Sequence, residues 1–187
     1  MLLQFNWFTI VLGVASLLVI AIYPFMKRFT NWPQFVLGLA FSWGALMGWA
    51  AVFSELGVPA LLLYCGAVLW TIGYDTIYAH QDKEDDALVG VRSTARLFGE
   101  RTKYWLFGLY GGALGLFAGA FASAEVPMPA LAGLLAAAAH MLRQIRTLDM
   151  DDPDQCLRLF KSNNLVGWLI FLGLLGGGLW VVLKPYF

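Results

Sequence analysis

Six apolar stretches, each on the order of twenty residues, punctuate this chain, and that repetition restricts the fold more than any other feature. They run from about Phe5 to Phe25, Pro33 to Phe53, Val58 to Ala79, Tyr104 to Ala122, Pro129 to Ile145 and Val166 to Val182. Stretches of this length and polarity are expected to be membrane helices. Composition agrees: 13% of the residues are charged, against about 25% in an ordinary soluble domain. The expected fold class is therefore all-α, a polytopic transmembrane helix bundle forming a single domain over residues 1–187. The fifth stretch, rich in Ala and Gly, is the weakest insertion signal and suits close helix packing instead. Trp7, Trp32, Trp49 and Trp180 fall near the expected ends, as interfacial aromatics do.

Charge sets the topology. Lys27, Arg28, Lys83, Arg92, Arg96, Arg101, Lys103, Arg143, Arg146, Arg158 and Lys161 follow the first, third and fifth stretches, leaving only Lys184 of the 12 basic residues on the other side. The positive-inside rule makes those loops cytoplasmic and puts both termini outside. Three further helices upstream would bring an N-terminus inside. A net charge of zero carries no nucleic-acid signal, and no nucleic-acid partner is expected. Cys65 lies in an apolar run and Cys156 in a polar one, so neither a disulfide nor a CxxC metal site is expected.

The chemistry concentrates where the third stretch ends, in Tyr74-Asp75-Thr76-Ile77-Tyr78-Ala79-His80-Gln81-Asp82-Lys83-Glu84-Asp85-Asp86. Carboxylates at the mouth of a membrane helix are costly to desolvate and usually bind something. If the helix continues through the motif, Asp75, Asp82 and Asp86 fall within roughly 40° of one another, with Asp85 about 80° away. Hard oxygens in line suit Mg²⁺, which keeps some of its water and shares a diphosphate. A solvated loop is the alternative for the Asp82–Asp86 run, but it leaves Asp75 unexplained.

Downstream, Gly90 to Gly99 reads as a short helix with Gly at both ends. Arg92 and Arg96, one turn apart, would face one target, and Ser93 would add donors for a diphosphate. For Arg96 an amphipathic surface helix is the preferred alternative. In Tyr23-Pro24-Phe25-Met26-Lys27-Arg28 the two cations sit at the interface. Arg28 is a candidate for an anionic substrate group, and Lys27 either joins it or anchors the helix. Asn163 or Asn164 would cap the last helix. His80 reads as polar loop and His140 as hydrogen-bonded core. Phe41, Trp43, Trp70 and Tyr74 read as packing, with a subset able to stabilise a carbocation.

Taken in order, Tyr23 to Arg28, Tyr74 to Asp86, Gly90 to Gly99 and Asn163-Asn164-Leu165-Val166-Gly167 resemble the 4-hydroxybenzoate polyprenyltransferases of the UbiA superfamily. The resemblance covers essentially the whole chain. It implies six helices of a nine-helix fold around a cavity open to the membrane. It also implies Mg²⁺ as cofactor and transfer of a polyprenyl group from polyprenyl diphosphate to 4-hydroxybenzoate, a step of ubiquinone biosynthesis. Carried over residue by residue, Asp75, Asp82 and Arg28 would be catalytic; Asp75, Asp82 and Asp86 would hold metal; Arg92, Ser93, Tyr78 and Lys27 would bind substrate. A bacterial inner membrane, with the motif loops cytoplasmic, is the expected location.

One departure stands out. Asn occurs only at positions 6, 31, 163 and 164, and none begins the Asn-Asp-x-x-Asp motif of the superfamily. The chain is therefore expected to be the C-terminal two-thirds of such an enzyme. A catalytically incompetent membrane protein and a prenyltransferase with another acceptor remain alternatives. An ion-coupled transporter would hold its carboxylates near the midplane, on broken helices.

Overall fold

The computed structural model describes residues 4–183, apart from the side chains of Lys27, Glu84, Asp85 and Ala87. Every regular element among them is helical: α1 (Trp7–Phe29), α2 (Pro33–Phe41), α3 (Trp43–Phe53), α4 (Val58–Ala79), α5 (Lys83–Val89), α6 (Thr94–Phe98), α7 (Thr102–Ser123), α8 (Ala130–Thr147) and α9 (Pro153–Leu183). A 3-10 turn, Gly99–Arg101, leads from α6 into α7. The long helices lie over the six apolar stretches. Five spans are long and apolar enough to cross a membrane, with α2 and α3 counting as one span broken at Ser42. The Ala-rich fifth stretch folds as α8 but is not among those five, because His140, Arg143, Gln144 and Arg146 interrupt its apolar character.

Helix α4 is the hub, packed against α2, α3, α7 and α9. Pro59 sits in its first turn, where a missing N–H does no harm, and its sequence limits are those of the third apolar stretch. Apolar exposure runs outward, as a bilayer requires: Val11, Val14, Leu17 and Leu18 of α1 are exposed, while Ile77, Leu106, Ala137 and Val166 are buried between helices. Asn6 anchors the start of α1. Its Oδ1 accepts from the Thr9 N–H at 2.9 Å, and its Nδ2 donates to the Ala50 carbonyl at 2.8 Å. Helices α8 and α9 cross at Gly133 and Gly173, where a Cβ on Gly133 would stand 2.3 Å from the Leu169 carbonyl oxygen. No ordinary side chain fits there.

Three expectations change. Helix α9 begins at Pro153, not near Val166, so most of the segment between the fifth and sixth apolar stretches is helix. Asn163 accordingly lies inside α9 and caps nothing: it donates to the Leu159 and Phe160 carbonyls and accepts from the Trp70 indole at 2.9 Å. The third change concerns the acidic motif. Helix α4 stops at Ala79, residues 80–82 form a turn, and α5 starts at Lys83, so one continuous helical stripe through the motif does not exist.

Candidate active site at the end of helix α4

The last turns of α4 carry Tyr74, Asp75 and Tyr78 into a cavity of about 610 Å³. Tyr23 of α1, Leu37 and Phe41 of α2, and Leu157 and Phe160 of α9 close its sides. Aromatic rings step along one wall. Trp70 and Tyr74 meet edge to face at 5.6 Å, Tyr74 and Phe160 lie 5.7 Å apart, and Tyr78 and Phe160 lie 4.7 Å apart. Phe41, Tyr74 and Phe160 also line a second cavity, of about 310 Å³, which Trp70, Asn163 and Asn164 extend. Phe41, Trp70 and Tyr74 therefore border empty space. Trp43 does not share that role: its indole donates to the Leu12 carbonyl at 3.0 Å and its ring meets Tyr64.

The carboxylates are spread by the turn. Asp75 lies in the cavity wall, Asp82 is exposed in the turn, and Asp86 is half-buried on α5. Among the described residues, no three acidic, His or Cys side chains converge as a metal site. The expected triad of Asp75, Asp82 and Asp86 is thus not assembled here, because the break at residues 80–82 takes the last two off the α4 face. Main-chain atoms fix that turn: the Ile77 carbonyl accepts from His80 N–H at 3.2 Å, and the Tyr78 carbonyl accepts from Gln81 N–H at 2.9 Å. The donors still fit Mg²⁺ in kind, because that ion uses one or two carboxylates, keeps several waters and shares substrate phosphates.

The basic residues meet at a neighbouring corner. Helix α6 starts only at Thr94, so Arg92 precedes it and does not share its face with Arg96. The two still line one cavity of about 390 Å³, with Asn31 and Gly90. Arg92 donates to the Phe29 carbonyl at 3.1 Å, next to exposed Arg28. Arg96 holds the Val91 carbonyl and reaches that of Asp86 at 3.3 Å. Gly90, with φ +75°, turns the chain into this loop. Ser93 is buried and its hydroxyl caps α6, accepting from Arg96 N–H at 3.4 Å. It builds the loop before it can serve a ligand. The Lys27 side chain lies outside what the structure describes.

A buried polar chain ties the two corners together. The Thr76 and Thr94 hydroxyls are 2.6 Å apart, and Thr94 N–H donates to Gln34 Oε1 at 3.2 Å. His80 is not loop filler: it is buried, with Nε2 3.0 Å from the Thr102 hydroxyl. Burial, helped by the nearby Lys83 charge, pushes its pKa down to about 4, so it is a neutral hydrogen-bonding group at pH 7. Sequence reasoning gave no separate role to Tyr23, Phe160 or Gln34. Tyr23 at least stood in a recognisable string, whereas an aromatic in a membrane helix looks the same whether it packs or faces a cavity.

Fold and site together define an integral membrane helix bundle with a carboxylate in the wall of an aromatic-lined cavity and a separate arginine-lined cavity on the loop before α6. The UbiA prenyltransferase family matches residues 1–165, and the chain belongs to that family. Among its relatives are proteins described as mitochondrial 4-hydroxybenzoate polyprenyltransferases. The one from Bos taurus is 49% identical over 179 residues, covering 95% of this chain and 48% of the relative. That from Drosophila melanogaster is 50% identical over 181 residues, 95% and 46% of the two chains. That from Homo sapiens is 47% identical over 180 residues, 96% and 48%. The chain spans about half the length of the curated relatives it matches. No solved structure matches it. The relatives are mitochondrial proteins of animals, which overturns the expected bacterial inner membrane with cytoplasmic motif loops; the integral membrane character stands.

Proposed function

We propose that this site transfers a polyprenyl group from polyprenyl diphosphate to 4-hydroxybenzoate in ubiquinone biosynthesis. The observation that carries the reading is Asp75, a carboxylate set in the wall of an apolar, aromatic-lined cavity beside an arginine-bearing loop. The relatives described as 4-hydroxybenzoate polyprenyltransferases support the choice of substrates.

In this reading the diphosphate rests at the rim, where Arg92, Arg96 and Arg28 offer guanidinium donors matched to phosphate oxygens. One or two of Asp75, Asp82 and Asp86, together with water and the diphosphate itself, would hold Mg²⁺, whose charge would offset that of the departing diphosphate. Ser93 caps the loop that carries Arg92 and Arg96, and Lys27 is assigned to substrate binding from the sequence alone. The allylic carbon–oxygen bond breaks, its electron pair leaving with the diphosphate. Tyr74, Tyr78, Phe41 and Phe160 present ring faces to the allylic cation. Leu37 and Leu157 exclude the water that would otherwise capture it. The ring carbon ortho to the phenol then forms the new carbon–carbon bond, and loss of that carbon's proton restores aromaticity.

A second reading, a protein that binds the diphosphate without turning it over, is favoured by one fact: among the described residues no three acidic, His or Cys side chains converge. One experiment separates the two. The purified protein in lipid is given labelled prenyl diphosphate, 4-hydroxybenzoate and Mg²⁺, with bound ligand and prenylated product measured separately. Product that disappears in Asp75→Asn supports transfer. Binding without product supports the second reading, and neither binding nor product overturns both.

A further inference from the structure

Away from that site, the outward side of α7 carries a groove of about 390 Å³. Its lining is Arg101, Tyr104, Trp105, Gly108 and Leu109, with Leu69 of α4. Arg101 sits in the turn immediately before the helix enters the bilayer, and Leu109 lies about 12 Å deeper at 1.5 Å per residue. The groove thus starts with a cation at headgroup level and runs inward over aromatic and then aliphatic surface. Arg101 is exposed and, among the described residues, makes no ion pair or side-chain hydrogen bond. Trp105 is held against collapse into the space. Its ring stacks on Phe98 at 4.6 Å, 8° from parallel, and Trp32 meets it edge-on at 6.0 Å. A Cβ on Gly108 would meet nothing within 4 Å among the described residues, so this glycine leaves a notch on the outward face of α7.

We propose that this groove binds one anionic membrane phospholipid, with Arg101 on the phosphate and an acyl chain lying past Trp105 into the Gly108 notch. Charge complementarity selects an anionic headgroup, and the depth of the groove selects a ligand with a chain attached. The inference is independent of the proposed reaction, since it uses no residue of the Asp75 cavity.

Brominated acyl chains quench tryptophan on contact and test it directly. The purified protein is reconstituted in phosphatidylcholine containing brominated phosphatidylglycerol or, in parallel, brominated phosphatidylcholine. The Trp105 contribution is taken as the difference from Trp105→Phe, which keeps the stacking. Half-quenching of that contribution is expected at about fivefold less brominated phosphatidylglycerol than phosphatidylcholine, the effect of one basic residue at an anionic surface. Arg101→Gln removes the preference, Arg101→Lys retains most of it, and Gly108→Leu removes contact with both lipids. Equal quenching by the two lipids, meaning ordinary annular lipid, overturns the proposal, as does an unchanged preference in Arg101→Gln. Displacement by inorganic phosphate, which marks a simple anion site, overturns it too, as does a Trp105 shielded from both lipids by a second copy of the chain.

Discussion

The hydroxyl oxygens of Thr76 and Thr94 lie 2.6 Å apart, both fully buried. Thr76 spends its single proton on the Ile72 carbonyl at 2.6 Å, so Thr94 must be the donor in the pair. One of the two follows Asp75 in sequence and the other follows Ser93. The contact therefore sets the distance between the carboxylate in the cavity wall and the arginine loop.

Replacing Thr76 by Val keeps the shape but strands the Thr94 proton in a dry interior. A loss of about 1–3 kcal/mol is expected, the usual cost of an unpaired buried donor. Thr76→Ser should recover most of it. Unfolding midpoints in detergent check both, and a Val variant as stable as the parent would remove Thr76 from the account.

The crossing of α8 and α9 offers a sharper test. In Gly133→Ala the new methyl stands 2.3 Å from the Leu169 carbonyl oxygen and 2.7 Å from the Gly173 Cα, both backbone atoms with little room to yield. Destabilisation of about 1–3 kcal/mol or more follows from overpacking. Gly115→Ala meets nothing within 4 Å and should gain up to roughly 1 kcal/mol from helix propensity. Thermal unfolding of the two variants side by side should move in opposite directions.

Asn163→Leu removes the acceptor of the Trp70 indole. Interhelical hydrogen bonds within membranes average only about 0.6 kcal/mol, so this variant should lose less than Gly133→Ala. Asn163→Asp keeps an acceptor and should leave Trp70 emission closer to that of the parent.

At the carboxylates, Asp75→Asn should weaken Mg²⁺-dependent binding of a prenyl diphosphate roughly ten- to hundredfold, the range for losing a charged partner. Asp82→Asn should weaken it less, because Asp82 is exposed in a turn while Asp75 lines the cavity. Titration calorimetry gives the order. A greater loss at Asp82 would place the ligand at the turn, outside the cavity.

Much of this was legible before any coordinates. The limits of α4 follow from Gly57 and Pro59 at one end and His80 at the other, and Asp75 stood out because solvation does not explain a carboxylate inside an apolar helix. What failed, failed for identifiable reasons. The stripe of Asp75, Asp82 and Asp86 assumed a helix that the turn at residues 80–82 interrupts. Asn163 resembled a cap because hydropathy rises just after it, although helical structure had begun at Pro153. Arg92 and Arg96 had helical spacing, but the Ser93 cap starts the helix after Arg92. Cavity-facing Phe160 carries no periodic mark that separates it from packing, since the bundle and the cavity ask for the same kind of residue.

Helix α9 has 31 residues, about 46 Å of rod against roughly 30 Å of hydrocarbon. Its first turns therefore stand at the level of the lipid headgroups, and they carry Leu157 and Phe160 to the same height as the end of α4. For the proposed polyprenyl diphosphate, with a charged head and a long tail, depth would then be settled before the encounter. Such a molecule needs no excursion into water, and finding the cavity becomes a search in two dimensions, governed by lateral diffusion and by surface density.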